Sequence, residues 1–111
     1  MTELSPQQMK TLERLFEAGF RPIAIPPYEN ALCVHRGECA ALLTPVPSGG
    51  LRLLAPVSYL IAGNFSVKLK KGETEVFVWK KTEIAATTER LEDLKLFERE
   101  LKQILESTVA H

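Results

Sequence analysis

The stretch NFSVKLKKGETEVFVWKK, residues 64–81, decides the fold. Apolar and polar residues alternate on either side of a glycine, which is the period of two half-buried strands joined by a turn. With Lys71-Gly72 as the turn, Val67 meets Val76 and Phe65 meets Val78 on one face. On the other face Lys68 meets Glu75, Ser66 meets Phe77 and Asn64 meets Trp79. One face is aliphatic; the other mixes aromatic rings with charge. The stretch carries five lysines against two glutamates. Lys68, Lys70, Phe77, Trp79 and Lys81 therefore form a candidate platform on which single-stranded nucleic acid would stack. The competing expectation, and the favoured one, is packing. From Thr82 onward seven acids face four bases, so a C-terminal helix would complement the basic hairpin and bury Phe77 and Trp79.

Working outward, the period of two extends from Phe20 to about Ile84, in short runs broken by turn-forming residues. Strands are expected near residues 21–25, 31–35, 38–44, 51–54, 57–62, 65–70 and 74–80. The breaks fall at Pro26-Pro27, Arg36-Gly37, the PVPSGG loop, Pro56, Gly63-Asn64 and Lys71-Gly72. The PPYEN stretch at 26–30 reads as the end of a strand, because proline cannot donate to a sheet ladder. A hairpin closed by Gly63-Asn64 sets Leu60 and Ala62 beside Phe65 and Val67, and sets Val57, Tyr59 and Ile61 on the Phe77 and Trp79 face. Both faces of such a sheet require cover.

Helical patterns flank the strands. Ser5 is placed to cap free backbone N–H groups, Pro6 suits the first helical position, and Gln8 completes a capping box. Met9, Leu12, Leu15 and Phe16 recur every three or four residues, and Gly19 supplies a left-handed stop. A second helix is expected over 88–106, with Leu94, Phe97, Leu101 and Ile104 in its stripe, Leu91 and Leu105 beside it, and a Glu98–Lys102 pair along one side. Strands adjacent in sequence and joined by tight turns pair antiparallel. The expected class is α+β: an N-terminal helix, an antiparallel β-meander of five to seven strands, and a C-terminal helix packed on the sheet. All of this fits a single globular domain over residues 1–111.

Composition narrows the partners. Apolar residues make up 45% and charged ones 25%, the balance of a folded domain rather than a disordered one. Fourteen basic and fourteen acidic side chains cancel, so no overall field draws the chain to nucleic acid or an anionic membrane. The opening MTELSPQQMK lacks the basic and apolar regions of a secretory signal. No apolar run reaches the roughly 20 residues of a spanning helix. The expectation is a cytoplasmic protein with no membrane partner and free thiols.

The sharpest chemical question is posed by CVHRGEC, residues 33–39. If Arg36-Gly37 is the turn, Leu32, Val34, Cys39, Ala41 and Leu43 share one face, while Cys33 and His35 take the other with Glu38. The two thiols then neither bond to each other nor close a tetrahedral metal site. A three-residue loop would bring them to one face. Even then the spacing lacks a second ligand pair, His111 being the other histidine. A nucleophilic Cys33–His35 pair lacks an orienting third group. The stretch is therefore expected to hold no metal, no cofactor and no catalytic residue.

No phosphate loop, zinc-protease helix, nucleophile elbow or carboxylate pair is recognisable. The EVFVWKK strand with its following helix is similar to units of bacterial proteins of unassigned role, a likeness that implies no activity. The leading expectation is a small non-enzymatic interaction or assembly module, a homodimer or the partner of another protein. Leu96 and Leu105, flanking the helix stripe, are its candidate interface. The second reading is single-stranded nucleic-acid binding through the last hairpin, and the third a ligand-binding protein or enzyme with an unrecognised pocket.

Overall fold

The computed structural model describes residues 5–28, 31–47 and 50–107. Helix α1 (Pro6–Glu17) opens as its sequence dictates. The Ser5 hydroxyl accepts from the Gln8 N–H at 3.2 Å, and the Gln8 side chain accepts from the Ser5 N–H at 2.8 Å. Such a cap stabilises the helix by about 1 kcal/mol. The buried face is rotated from the expected one. Leu12 and Leu15 are buried with Gln8 and Thr11, while Met9 and Phe16 are exposed. The capping box accounts for this: it pins Gln8 inward, where Nε2 also donates to the Gly50 carbonyl at 3.3 Å.

The fold is the expected α+β class, and its strands are antiparallel throughout, arranged in two sheets. The first contains β1 (Arg21–Pro22), β2 (Leu32–Arg36), β3 (Cys39–Pro45), β4 (Leu51–Leu53), β5 (Ser58–Ile61) and β6 (Asn64–Phe65). The second contains β7 (Val67–Lys71), β8 (Thr74–Trp79) and β9 (Thr82–Ala85). Ser66 breaks the run between them. Its hydroxyl donates to the Tyr59 carbonyl, and the Ser58 hydroxyl donates to the Ser66 carbonyl at 2.6 Å, so the ladder is interrupted where the alternation reads straight through. Strand β9 was absent from the expected set; the Lys80-Lys81 turn before it carries no glycine, and Lys80 takes a left-handed φ of 54° instead.

Three hairpin turns sit one residue from their expected places. Arg36 pairs with Cys39 and Lys71 with Thr74, so the turns are Gly37-Glu38 and Gly72-Glu73. Glycine occupies the first turn position, with φ of 63° at Gly37 and 67° at Gly72, as a type II′ turn requires. The third turn is Ala62-Gly63, not Gly63-Asn64, because Ile61 pairs with Asn64. Both of its residues are left-handed, at 51° and 77°. Moving a turn by one residue changes the register by two, so every side chain keeps its expected face.

Helix α2 (Thr88–Ser107) and α1 pack on one face of the first sheet. Phe20, Val34, Ala41, Leu43, Phe97 and Leu101 are all at most 2% exposed in this main core. Phe20 and Phe97 meet at 5.2 Å between ring centroids. Each such side chain contributes roughly 1.5–3 kcal/mol by leaving water. The opposite face carries a smaller core of Ile25, Cys33, Ala40, Leu42 and Leu60. It is roofed by the segment after β1, with Tyr28 edge-on to Phe65 at 5.9 Å. Of the stretches read above, Glu29, Asn30, Ser48, Gly49 and His111 lie outside the described residues. No described helix is long and apolar enough to cross a membrane.

Candidate partner-binding surface

The two thiols of CVHRGEC project to opposite sides of the first sheet. Cys39 belongs to the main core and Cys33 to the smaller one. The register differs from the expected one, yet the parity argument holds because the difference is two residues. Both thiols are free and buried. Burial pushes the Cys33 thiol up. Burial also pushes Cys39 up, to about 11, with Asp93 and Glu38 adding to the effect and Arg36 opposing it. Neither is a ready thiolate nucleophile at neutral pH. His35 Nδ1 lies 3.2 Å from the Gly37 carbonyl across its own turn.

The residue of this stretch with the widest reach is Arg36, read from sequence only as a turn residue. Its guanidinium pairs with Glu100 at 2.6 Å, donates to the Ala18 carbonyl at 3.3 Å, and lies 4.5 Å from the Phe20 ring centroid. It ties the end of β2 to both helices. An arginine beside a glycine carries no sequence signal for that role.

The nucleic-acid candidates differ in burial. Lys68, Lys70, Phe77 and Trp79 share the inner face of the second sheet, the face turned toward Tyr59. Phe77 is 1% exposed, with its ring stacked on Tyr59 at 5.0 Å and 12°. Trp79 is half-buried beneath Lys80, whose Nζ lies 4.9 Å from the ring centroid. Lys68 reaches Glu75 at 3.6 Å and Lys71 reaches Glu83 at 3.0 Å. Lys68 and Lys71 thus pair within their own sheet rather than with α2. Lys81 sits in the exposed turn before β9.

The interface candidates separate cleanly. Leu96 is 42% exposed, on the rim of a cavity of about 400 Å³ floored by Tyr59 and Phe97. Leu105 is 5% exposed and lies within the main core.

Two further surfaces complete the region, a cleft and the aliphatic sheet face read from the sequence at Val67 and Val76. The first is a cleft of about 560 Å³ where α2 meets the second sheet, with Tyr59, Phe77, Leu91 and Leu94 as its apolar walls and Lys68 and Lys95 beside them. The second is the outer face of the second sheet, opposite Phe77. Ladder pairs Val67–Val78 and Leu69–Val76 place four aliphatic side chains there, with Ala85 next to Val76. Val67 is 60% exposed and Leu69 is 49% exposed. Lys71 and Glu83 belong to the same face and pair with each other, leaving it without net charge.

Comparison with protein-family models, with curated protein sequences and with solved structures finds no match to this chain.

Proposed function

We propose that the chain is a small non-enzymatic interaction module that associates with a second copy of itself through the outer face of its second sheet. The observation that carries this reading is the pair of exposed side chains Val67 and Leu69, set beside the half-buried Val76 and Val78 on one sheet face. Adjacent exposed apolar side chains make this face a candidate contact site of small area. A second copy is the occupant that charge favours: the face is neutral, so a two-fold contact sets no like charges against each other. Three strands of about five residues span roughly 14 by 10 Å, well under the ~800 Å² per partner of a stable complex. The association is therefore weak and concentration-dependent.

Sedimentation velocity between about 5 and 500 micromolar reads the outcome directly. Wild-type protein moves from monomer to dimer mass across that range, and Leu69→Lys stays monomeric with unchanged circular dichroism. Leu96→Glu serves as the comparison. Dissociation by that variant but not by Leu69→Lys transfers the contact to α2, and a monomeric wild type at every concentration refutes self-association.

A further inference from the structure

Strand β7 is one edge of the second sheet, β9 being the other; the backbone groups of Ser66 just before it are held by the Ser58 hydroxyl, and all five residues of β7 are exposed. In a two-residue hairpin the residues flanking the turn exchange hydrogen bonds, and alternate pairs beyond them do so as well. Lys71, Leu69 and Val67 thus bond inward to β8, while the backbone N–H and C=O groups of Lys68 and Lys70 point out to the open edge. Their side chains lie on the inner face, and Lys68 lines the cleft against α2. Across that cleft stand Lys95, which makes no ion pair among the described residues, and Glu98, which pairs with Lys102, while Lys68 itself reaches Glu75.

We infer that β7 and the adjoining cleft bind an extended acidic segment of a partner protein, which adds to the second sheet as a fourth strand. Main-chain hydrogen bonds to Lys68 and Lys70 hold such a strand, and its alternate side chains turn toward the inner face. An apolar side chain there enters the cleft over Phe77 and Leu94, and carboxylates two residues along meet Lys70 and Lys95. A second copy of this chain is the wrong occupant for the edge. Pairing β7 with itself about Leu69 sets Lys68 against Lys70 twice, four ammonium groups on one side, which is how lysine-bearing edges repel their own kind. The same lysines select an acidic strand. The inference rests on reading the second sheet as the contact element, but it uses the edge and inner face, whereas self-association uses the outer face.

The test uses the full chain, isotope-labelled, and three synthetic peptides: Thr-Phe-Thr-Glu-Val-Glu-Thr, the same peptide with lysine for glutamate, and the acidic peptide with alternate backbone amides methylated. Saturable binding of the acidic peptide is expected, with the largest amide shifts at Lys68 and Lys70. Affinity falls at least tenfold for the lysine peptide, for the methylated peptide and for the Lys70→Glu chain. Equal binding of the methylated peptide overturns strand addition in favour of charge attraction alone. Shifts confined to other strands, or no saturation at millimolar peptide, overturn the site. Because the outer-face variant Leu69→Lys retains the edge groups, peptide binding by that monomeric chain separates this inference from the dimer.

Discussion

Replacing Phe77 by alanine tests how the second sheet is held to the rest of the molecule. Phe77 is the fully buried large side chain of that sheet, and its stacking on Tyr59 joins β8 to β5. Removing a buried phenylalanine costs about 3–5 kcal/mol, of which an aromatic pair supplies about 0.5–1.5 kcal/mol. The cleft already opens beside the ring, so water fills part of the space left behind and the expected loss lies at the lower end, about 3 kcal/mol. That is more than a hundredfold in the folding equilibrium. The loss should also be local. Urea unfolding gives the overall stability, and native-state hydrogen exchange shows where the loss falls: amides of β7, β8 and β9 lose protection while those of β2 and β3 keep it. A loss below about 1 kcal/mol with full protection in β8 would refute the reasoning.

Further outcomes follow from burial and charge. Leu105→Ala should destabilise the protein by about 2–4 kcal/mol and Leu96→Ala by less than about 0.5 kcal/mol in urea titrations at a concentration where the chain is monomeric; equal losses would contradict their placement at 5% and 42% exposure. Cys39 should make the fold sensitive to alkali. Its folded value of about 11 against an ordinary 9.0 means the unfolded chain loses a proton that the folded one keeps, so stability is full below pH 9, falls between 9 and 11 by roughly 2–3 kcal/mol, and falls less in Cys39→Ala by that difference.

Much of the architecture is readable because side-chain direction in a strand has a period of two. Glycine announces the hairpins at Gly37, Gly63 and Gly72 but not the one at Lys80-Lys81, and a glycine between charged neighbours, as in Arg36-Gly37-Glu38 and Lys71-Gly72-Glu73, does not say whether it takes the first or the second turn position. Either choice preserves parity, so the separation of the thiols and the aliphatic face at Val67 and Val76 survive the error. Helix α1 shows the opposite case. Its period is plain, but the rotation is set by one polar side chain, Gln8, bonded to Gly50 far along the chain. A hydrophobic pattern cannot weigh that bond. The break at Ser66 is equally silent, since its hydroxyl acts on a carbonyl seven residues earlier, at Tyr59. Ser66 lines the cleft, whose walls are legible as apolar residues but not as a site.

The open outer face follows from how cover is shared out. An α-helix of 20 residues is about 30 Å long, and α2 uses Phe97, Leu101 and Leu105 on the first sheet. Only its N-terminal part, at Leu91 and Leu94, reaches the second sheet, and it does so from the inner side. Helix α1 lies on the same face of the first sheet as α2, and the segment carrying Ile25 and Tyr28 roofs the other. Every described helix is thus committed before the outer face of β7 and β8 is reached. Turning α2 to cover it would expose Phe77, Leu91 and Leu94 and empty part of the main core, a far larger loss than leaving two aliphatic side chains in water. The chain therefore folds around its larger core and leaves the outer face of β7 and β8 uncovered by its own helices.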